Sequence, residues 1–266
     1  MASELIVIFV VITVSYFYKG SRLTQAGIVS TLIFFFIVCG FFFLVYSPIW
    51  DSFQTWEVEV GAIWNLSNLF ASLPWNDISF LMEISSEWVT NIMQFCYDSG
   101  YKAMFLVPAL PCFLRGDSRL GWKYILCGHL IQSILIIPEL YLFGVQEIWY
   151  VKHIPDGLNR VFNTEIDMIK ATYNCFPSMH TSIATAMLLV SRNEPSRIFR
   201  YSWMTYCILV IISTVCFPIH WVIDLIGGVL LGIVSVTIGS KIVDWYNTHN
   251  LKRRFLNYAN KKWNQI

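Results

Sequence analysis

His220 and Asp224 stand four residues apart in the run Ser213-Thr214-Val215-Cys216-Phe217-Pro218-Ile219-His220-Trp221-Val222-Ile223-Asp224. On a helix that spacing places both on one face, one turn apart. A carboxylate there accepts the imidazole N–H, fixes the tautomer and leaves the other ring nitrogen as a nucleophile or base. A polar pair that only ties helices together is the competing reading. An Asp at the apolar boundary of a span costs about 2.5–3.5 kcal/mol on insertion scales, however, and Asn or Ser would tie helices without it. Upstream, Phe176-Pro177-Ser178-Met179-His180 leads into the apolar helix pattern Thr181–Val190. Proline suits the first helical turn, where its missing N–H is not needed. The amides of Ser178, Met179 and His180 would then face outward at the positive end of a helix dipole, a ready site for a phosphate. Ser178 adds a hydroxyl and His180 a proton donor; an ordinary proline-capped helix with a His at headgroup level is the alternative.

The elements that must position these residues are set by composition. Of the 266 residues, 56% are hydrophobic and only 13% charged, against about 25% charged in soluble domains. That deficit excludes a disordered chain, a nucleic-acid binder built on basic patches and an ordinary cytosolic enzyme. Apolar stretches at about 5–18, 27–47, 101–114, 121–144, 177–191, 201–218 and 221–243 are candidate spans, the first and third being short. The first does not read as a signal peptide, because its leading charge is Glu4 and its cations, Lys19 and Arg22, come afterwards.

Lys and Arg orient the spans. If the ends near 19–26, 115–123, 192–200 and 241–266 are cytoplasmic, 14 of the 18 Lys and Arg residues lie there, and only Lys102, Lys152, Arg160 and Lys170 lie opposite. This predicts an outside N-terminus, a cytoplasmic C-terminus and both histidine motifs at the outside ends of their spans. The motifs and the cations agree independently on one site at one face.

The long outside segment 48–100 carries Trp50, Trp56, Trp64, Trp75 and Trp88 among carboxylates, a pattern for interfacial amphipathic helices acting as a cap or a lid. It contains a glycosylation sequon, Asn65-Leu66-Ser67. A second outside loop spans about 145–176. With no internal repeat or linker, residues 1–266 read as one transmembrane domain. The seven cysteines form no C-x-x-C pair and point to neither a zinc site nor a disulfide framework; Cys96 and Cys175 are the two that could meet outside the membrane.

Phe-Pro-Ser-Met-His at 176–180, followed by Ser-x6-His-x3-Asp at 213–224, resembles the type 2 phosphatidic acid phosphatase (PAP2) superfamily, whose motifs read K-x6-R-P, P-S-G-H and S-R-x5-H-x3-D. The variant with Tyr173-Asn174 before it is similar to the inositol-phosphorylceramide-synthase-like branch. The resemblance covers about residues 145–235. It implies an all-α integral-membrane fold: a six-helix core from the spans after residue 27, with an extra N-terminal helix and interfacial helices in 48–100. It implies that His220 attacks phosphorus to form a phosphohistidine, oriented by Asp224. His180 would protonate the leaving oxygen and then activate water or an acceptor alcohol, while Ser178 and Met179 help hold the phosphate. No metal or other cofactor is expected.

Three departures qualify the resemblance. Met179 stands for the glycine of the second motif, and Thr214 for the arginine of the third. The first motif is degenerate: Lys152 and Arg160 are eight apart, with Val161 where proline should stand. Phosphoryl transfer depends on positive charge around the equatorial oxygens, so Arg160 carries more of that burden, with Lys152 the weaker candidate and a solvated loop cation the alternative for Arg160. His129 reads as an interhelix hydrogen bonder, Glu139 as a residue that can touch the site, and His153 and Lys170 as loop residues.

Three functions compete on this reading. The first is a lipid phosphatase hydrolysing a phosphomonoester or diphosphate of a phospholipid, sphingolipid or isoprenoid. The second is a lipid phosphotransferase passing a phospho-head-group to an alcohol, favoured by the missing arginine. The third is a non-catalytic lipid carrier, disfavoured by the intact His180, His220 and Asp224. No nucleic-acid partner is expected, and the site would be extracytoplasmic or luminal.

Overall fold

The computed structural model describes residues 40, 44, 46–82, 85–173 and 175–263. The expected span at 5–18, most of that at 27–47 and the extra N-terminal helix lie outside the described residues. The described chain is helical apart from its loops and one two-residue parallel ladder, β1 (Trp64–Asn65) against β2 (Phe143–Gly144). The helices are α1 (Ser47–Val60), α2 (Ser67–Ser72), α3 (Glu87–Leu114), α4 (Ser118–Leu142), α5 (Ile148–Lys152), α6 (Glu165–Thr172), α7 (Met179–Ser191), α8 (Arg197–Cys216) and α9 (Val222–Trp263), with a 3₁₀ turn at Ser79–Met82. Among the described residues, three segments are long and apolar enough to cross a membrane: Ser118–Leu142, Arg197–Cys216 and Val222–His249.

The caps are those the sequence offers. Asp117, Thr164, Ser178 and Ser196 each accept a backbone N–H three residues on, starting α4, α6, α7 and α8. Helix α7 occupies the middle of the bundle. Ten of its 13 residues are buried, so a helix too short to cross a bilayer alone is enclosed by α3, α4, α8 and α9. Buried nearly all round and carrying no Asp, Glu, Lys or Arg, it is an interior helix rather than a surface one.

Glycine sets how closely α9 approaches it. A Cβ at Gly228 would lie 2.6 Å from the Ser178 carbonyl oxygen, and one at Gly232 would lie 2.6 Å from that of Ser182. The four-residue advance on both chains means that α7 and α9 run parallel, packed through small residues. Helix α4 runs the other way along α9: Arg119 and Lys123 pair with Asp244, while Cys127, further along α4, accepts from Ser235 through its carbonyl. That carbonyl lies in a π-helical turn at Leu126–Leu130, and it also accepts from the Gln132 amide. Ser182 of α7 donates to the other side of the same amide. One buried amide thus ties α4 to α7, and the freed carbonyl ties α4 to α9.

The start of α3 differs from the expected 101. The helix begins at Glu87 and passes straight through the polar Asp98-Ser99-Gly100. Charge interrupts an apolar run without interrupting a helix. Gly100 is required there, because a Cβ would stand 2.7 Å from Val210 Cγ1 of α8, and Ser99 pairs with Tyr206 of α8 at 2.7 Å. The segment 48–100 therefore comprises α1, β1, α2, the 3₁₀ turn and the first half of α3.

The two ends of the bundle differ in character. Arg115, Tyr124 and Cys112 converge on buried Glu194, just beyond the end of α7, beside the Arg119–Lys123–Asp244 cluster. His180 lies at the opposite end of α7.

Candidate active site

A cavity of about 330 Å³ opens at that end, within the usual size of small-molecule sites. Tyr46, Trp50, Tyr97 and Met179 line one part of it, Ile136 and Leu140 of α4 its apolar floor, and Glu147, Arg160, His180 and His220 the polar part. Of the sequence-predicted residues, the two histidines, Met179 and Arg160 thus face one space. Asp224 stands directly behind His220, and Lys152 lies elsewhere.

His220 sits in the bend between α8 and α9, buried, with Nδ1 3.1 Å from the Cys175 carbonyl oxygen and 3.4 Å from Asp224 Oδ2. A carbonyl can only accept, so Nδ1 carries the proton and Nε2 the lone pair. Asp224 is itself fixed: its Oδ2 accepts from the Trp221 amide at 2.8 Å and from the Cys175 thiol at 2.9 Å. The His180 and His220 rings are 6.3 Å apart between centroids, close enough to flank a single phosphoryl group. His180 is stacked on Tyr97, with centroids 4.3 Å apart and planes within 17°, and its ring donates to the Tyr97 main-chain carbonyl.

The helix start corrects one expectation. Pro177 is not in the first turn; the helix opens at Met179, with Ser178 as its cap. The Ser178 hydroxyl accepts from the Thr181 amide, and the Ser178 amide donates to the Asp224 carbonyl. Ser178 is fully buried and does not line the cavity. Its backbone and side chain instead join the two motifs, leaving the amides of Met179 and His180 at the mouth of the helix. The reason is geometric: the chain must turn sharply to bring α7 beside α9, and a capping serine makes that turn.

Arg160 reaches the cavity on an ordered loop. Its guanidinium pairs with both Glu147 oxygens, at 3.2 and 2.5 Å, and with Asp156 at 2.8 Å. Burial opposes its charge, but the two carboxylates more than offset this and hold it firmly cationic. Burial likewise would raise Asp156, and Arg160 reverses that. Trp149 and Phe162 flank the guanidinium at 5.6 and 5.5 Å. The alternative of a merely solvated loop cation does not describe this environment. Lys152, by contrast, pairs with Asp77 at 2.6 Å on the outer surface and lies 6.0 Å from the Trp221 ring. Thr214, in place of an arginine, is buried and bonded to the Ile211 carbonyl and the Thr181 hydroxyl; it brings no charge.

Three participants are not singled out by the sequence. Tyr97 lies 83 residues before His180 (180 − 97), in a helix whose start hydropathy misplaces, so no spacing announces it. Glu147 is buried in the cavity wall, where its carboxylate also receives the Trp149 indole N–H; in the sequence it is one acid among many. Cys175, two residues before Pro177, stands within reach of the motif, but cysteines in this chain read as apolar filler. Cys96 and Cys175 are both free thiols. The remaining candidates lie apart. His129 is buried between Phe105 and Tyr46 with Ser133 at 3.5 Å from Nδ1, and Glu139 is not among the cavity residues. Lys170 pairs with Asp51 of α1, and His153 caps α5 in the left-handed region.

Among the described residues, one trio of metal-capable side chains is compact: Cys175, His220 and Asp224, with ligand atoms within 4.8 Å of one another. Those atoms already engage each other and the neighbouring backbone. A cation there would have to displace the thiol proton from Asp224 and the imidazole proton from the Cys175 carbonyl, so the trio fits a hydrogen-bonded triangle better than a metal site.

Residues 142–248, which carry both histidines, Asp224 and Arg160, match the family model of the PAP2 superfamily. Over 192 residues, 67% of this chain and 74% of the relative, the chain is 24% identical to an uncharacterized protein of Methanocaldococcus jannaschii. The crystal structure of Aquifex aeolicus LpxE is similar at a TM-score of 0.48 and 16% identity, over 62% of this chain and 93% of that one. Tyr46, Trp50 and Tyr97 precede the matched segment, so part of the cavity wall comes from outside it.

Proposed function

We propose, from the PAP2 superfamily match of residues 142–248, that this chain is an integral-membrane lipid phosphatase. It hydrolyses a phosphomonoester or diphosphate of a lipid through a phosphohistidine, at the extracytoplasmic or luminal face. The observation that carries this reading is the pairing of two histidines across one cavity: His220, with its Nε2 lone pair free for phosphorus, faces His180 at 6.3 Å, beside a guanidinium.

The reaction on this reading has two balanced steps. Nε2 of His220 bonds to phosphorus as the bond to the lipid oxygen breaks, and His180 delivers a proton to that oxygen. His180, now neutral, takes a proton from water, whose oxygen attacks phosphorus and releases His220. Asp224 and the Cys175 carbonyl hold Nδ1–H throughout, so the ring enters each cycle in the same tautomer. Arg160 and the first amides of α7 neutralise the equatorial oxygens. The apolar floor formed by Ile136 and Leu140 suits an acyl or isoprenoid chain, and the membrane supplies it.

A second reading, transfer of the phospho-group to an alcohol, is favoured by one observation. Thr214 stands for the third-motif arginine, and Arg160 is shared with two carboxylates, so positive charge at the site is sparse for a dianionic monoester. This is the reading implied by the inositol-phosphorylceramide-synthase-like resemblance.

Purified protein in detergent with EDTA, given a lipid phosphate with water alone or with added inositol, decides between them. Phosphate release abolished by His220→Ala supports the phosphatase; an acceptor-dependent product supports transfer. Full turnover in His220→Ala rejects the phosphohistidine. Lipid binding without either product leaves a carrier.

A further inference from the structure

We propose that Cys175 is a positioning residue of the His220–Asp224 pair: its main-chain carbonyl sets the imidazole tautomer and its thiol holds the carboxylate. This rests on the reading of His220 as the nucleophile.

Four distances carry the inference. His220 Nδ1 is nearer to the Cys175 carbonyl oxygen, at 3.1 Å, than to Asp224 Oδ2, at 3.4 Å. Asp224 Oδ2 is nearer to the Cys175 thiol, at 2.9 Å, than to the imidazole. Trp221 supplies a second donor to the same oxygen at 2.8 Å. Asp224 is thus anchored first by the thiol and the amide, and the imidazole is its most distant hydrogen-bonding partner. The carbonyl makes the closest contact to Nδ1, and one residue touches both members of the pair.

The thiol is suited to donate. It is fully buried among Phe70, Val145, Ile148 and Trp221, and burial, followed by the charge of Asp224, pushes its ionisation far up. It therefore keeps its proton. Two acceptors lie within reach, Asp224 Oδ2 at 2.9 Å and the Ile219 carbonyl at 3.2 Å; the carboxylate is both nearer and the stronger acceptor. The placement also joins the motifs: Cys175 precedes the cap of α7, His220 precedes α9, and Ser178 N–H meets the Asp224 carbonyl.

The test uses the full chain in detergent and a short-chain lipid phosphate. Cys175→Ala should lower kcat about tenfold with KM changed less than about twofold. Cys175→Ser, whose hydroxyl donates to the same oxygen, should recover most of that loss. In an Asp224→Asn background, Cys175→Ala should cost less than about twofold, because the thiol acts through that carboxylate. The proposal for the thiol is overturned by wild-type kcat in Cys175→Ala, by a loss that tracks a lowered melting midpoint and is not recovered by Ser, or by the full tenfold loss in the Asp224→Asn background.

Nitrogen-15 spectra of histidine-labelled protein, with His220 assigned by comparison with His220→Ala, read the ring without reference to turnover. The Nδ1–H tautomer should persist in Asp224→Asn, held by the carbonyl. Its disappearance there overturns the carbonyl assignment. Turnover that survives His220→Ala, with the tautomer unchanged in wild type, defeats the nucleophile reading and leaves the geometry of the triangle standing.

Discussion

Tyr97 lies face to face on His180, ring centroids 4.3 Å apart and planes 17° from parallel, although the two residues come from helices that no motif connects. Burial, with the charge of Glu147 nearby, pushes the phenol up, so it remains neutral at ordinary pH. The Tyr97 ring lies flat against the imidazole, and the Tyr97 carbonyl holds one of its nitrogens.

Stacked aromatic pairs contribute about 0.5–1.5 kcal/mol beyond area burial, and on the proposed function this one orients the proton donor. Tyr97→Leu should lower kcat by about two- to tenfold, and Tyr97→Phe should stay close to wild type because the stack persists. Steady-state kinetics on both variants checks this; equal losses would mean that the hydroxyl, not the stack, matters.

Arg160 and Lys152 are candidates for the same task and differ sharply in place. Removing a preorganised charge from a transition-state site costs about 10²–10³ in kcat, and that is the expected loss for Arg160→Ala. Lys152→Ala breaks a surface ion pair, worth about 0–1 kcal/mol, and should change turnover less than about threefold. An equal or smaller loss for Arg160→Ala removes it from the phosphate site.

Glu57 on α1 supplies a pH signature. It is buried, Oε1 has no hydrogen-bond partner among the described residues, and burial raises its pKa from 4.5 to about 7. The unfolded chain loses this proton near 4.5, whereas the folded chain keeps it to about 7. The folded state therefore binds more protons in that window, and stability falls as pH rises through it. At about 1.4 kcal/mol per unit the penalty above the window is on the order of 3 kcal/mol. The melting midpoint of the wild type should fall between pH 5 and pH 8 relative to Glu57→Gln, with the gap widening steadily. Parallel curves would show that Glu57 is not the responsible group.

Gly228 tests the joint between the motifs. A methyl there would press on the Ser178 carbonyl at 2.6 Å, which is backbone and cannot swing away. Gly228→Ala should destabilise by about 1–3 kcal/mol and, because Ser178 caps the helix that carries His180, reduce turnover as well. Ile226→Ala, at a side chain 58% exposed on the same helix, is the comparison and should do neither. Thermal unfolding and turnover measured on the two variants decide the point.

Much of this site is legible in one dimension because its key residues belong to local motifs. A spacing of four is enough to put His220 and Asp224 within reach, and Pro-Ser before an apolar helix is enough to mark its start. The spans Ser118–Leu142 and Arg197–Cys216 lie within a few residues of their apolar runs, since a bilayer requires length and apolarity and little else. The start of α3 is not legible, because a helix tolerates polar residues that a hydropathy run does not. Arg160 can be nominated by its place in the chain, but only the folded loop distinguishes it from Lys152.

The sequence by itself determined that this chain is largely helical, that its few charges are unevenly distributed and that two histidines and an aspartate stand at spacings that resemble the PAP2 motifs. These properties are set by composition and by periods shorter than two helical turns. Only the tertiary structure decided that Ser178 caps and joins rather than faces the cavity, that Tyr97 backs His180, and that Cys175 stands closer than Asp224 to His220 Nδ1. Each of those depends on the approach of segments tens of residues apart, and that approach is set by Gly228, Gly232 and Gly100 allowing backbones to meet, which no local period encodes.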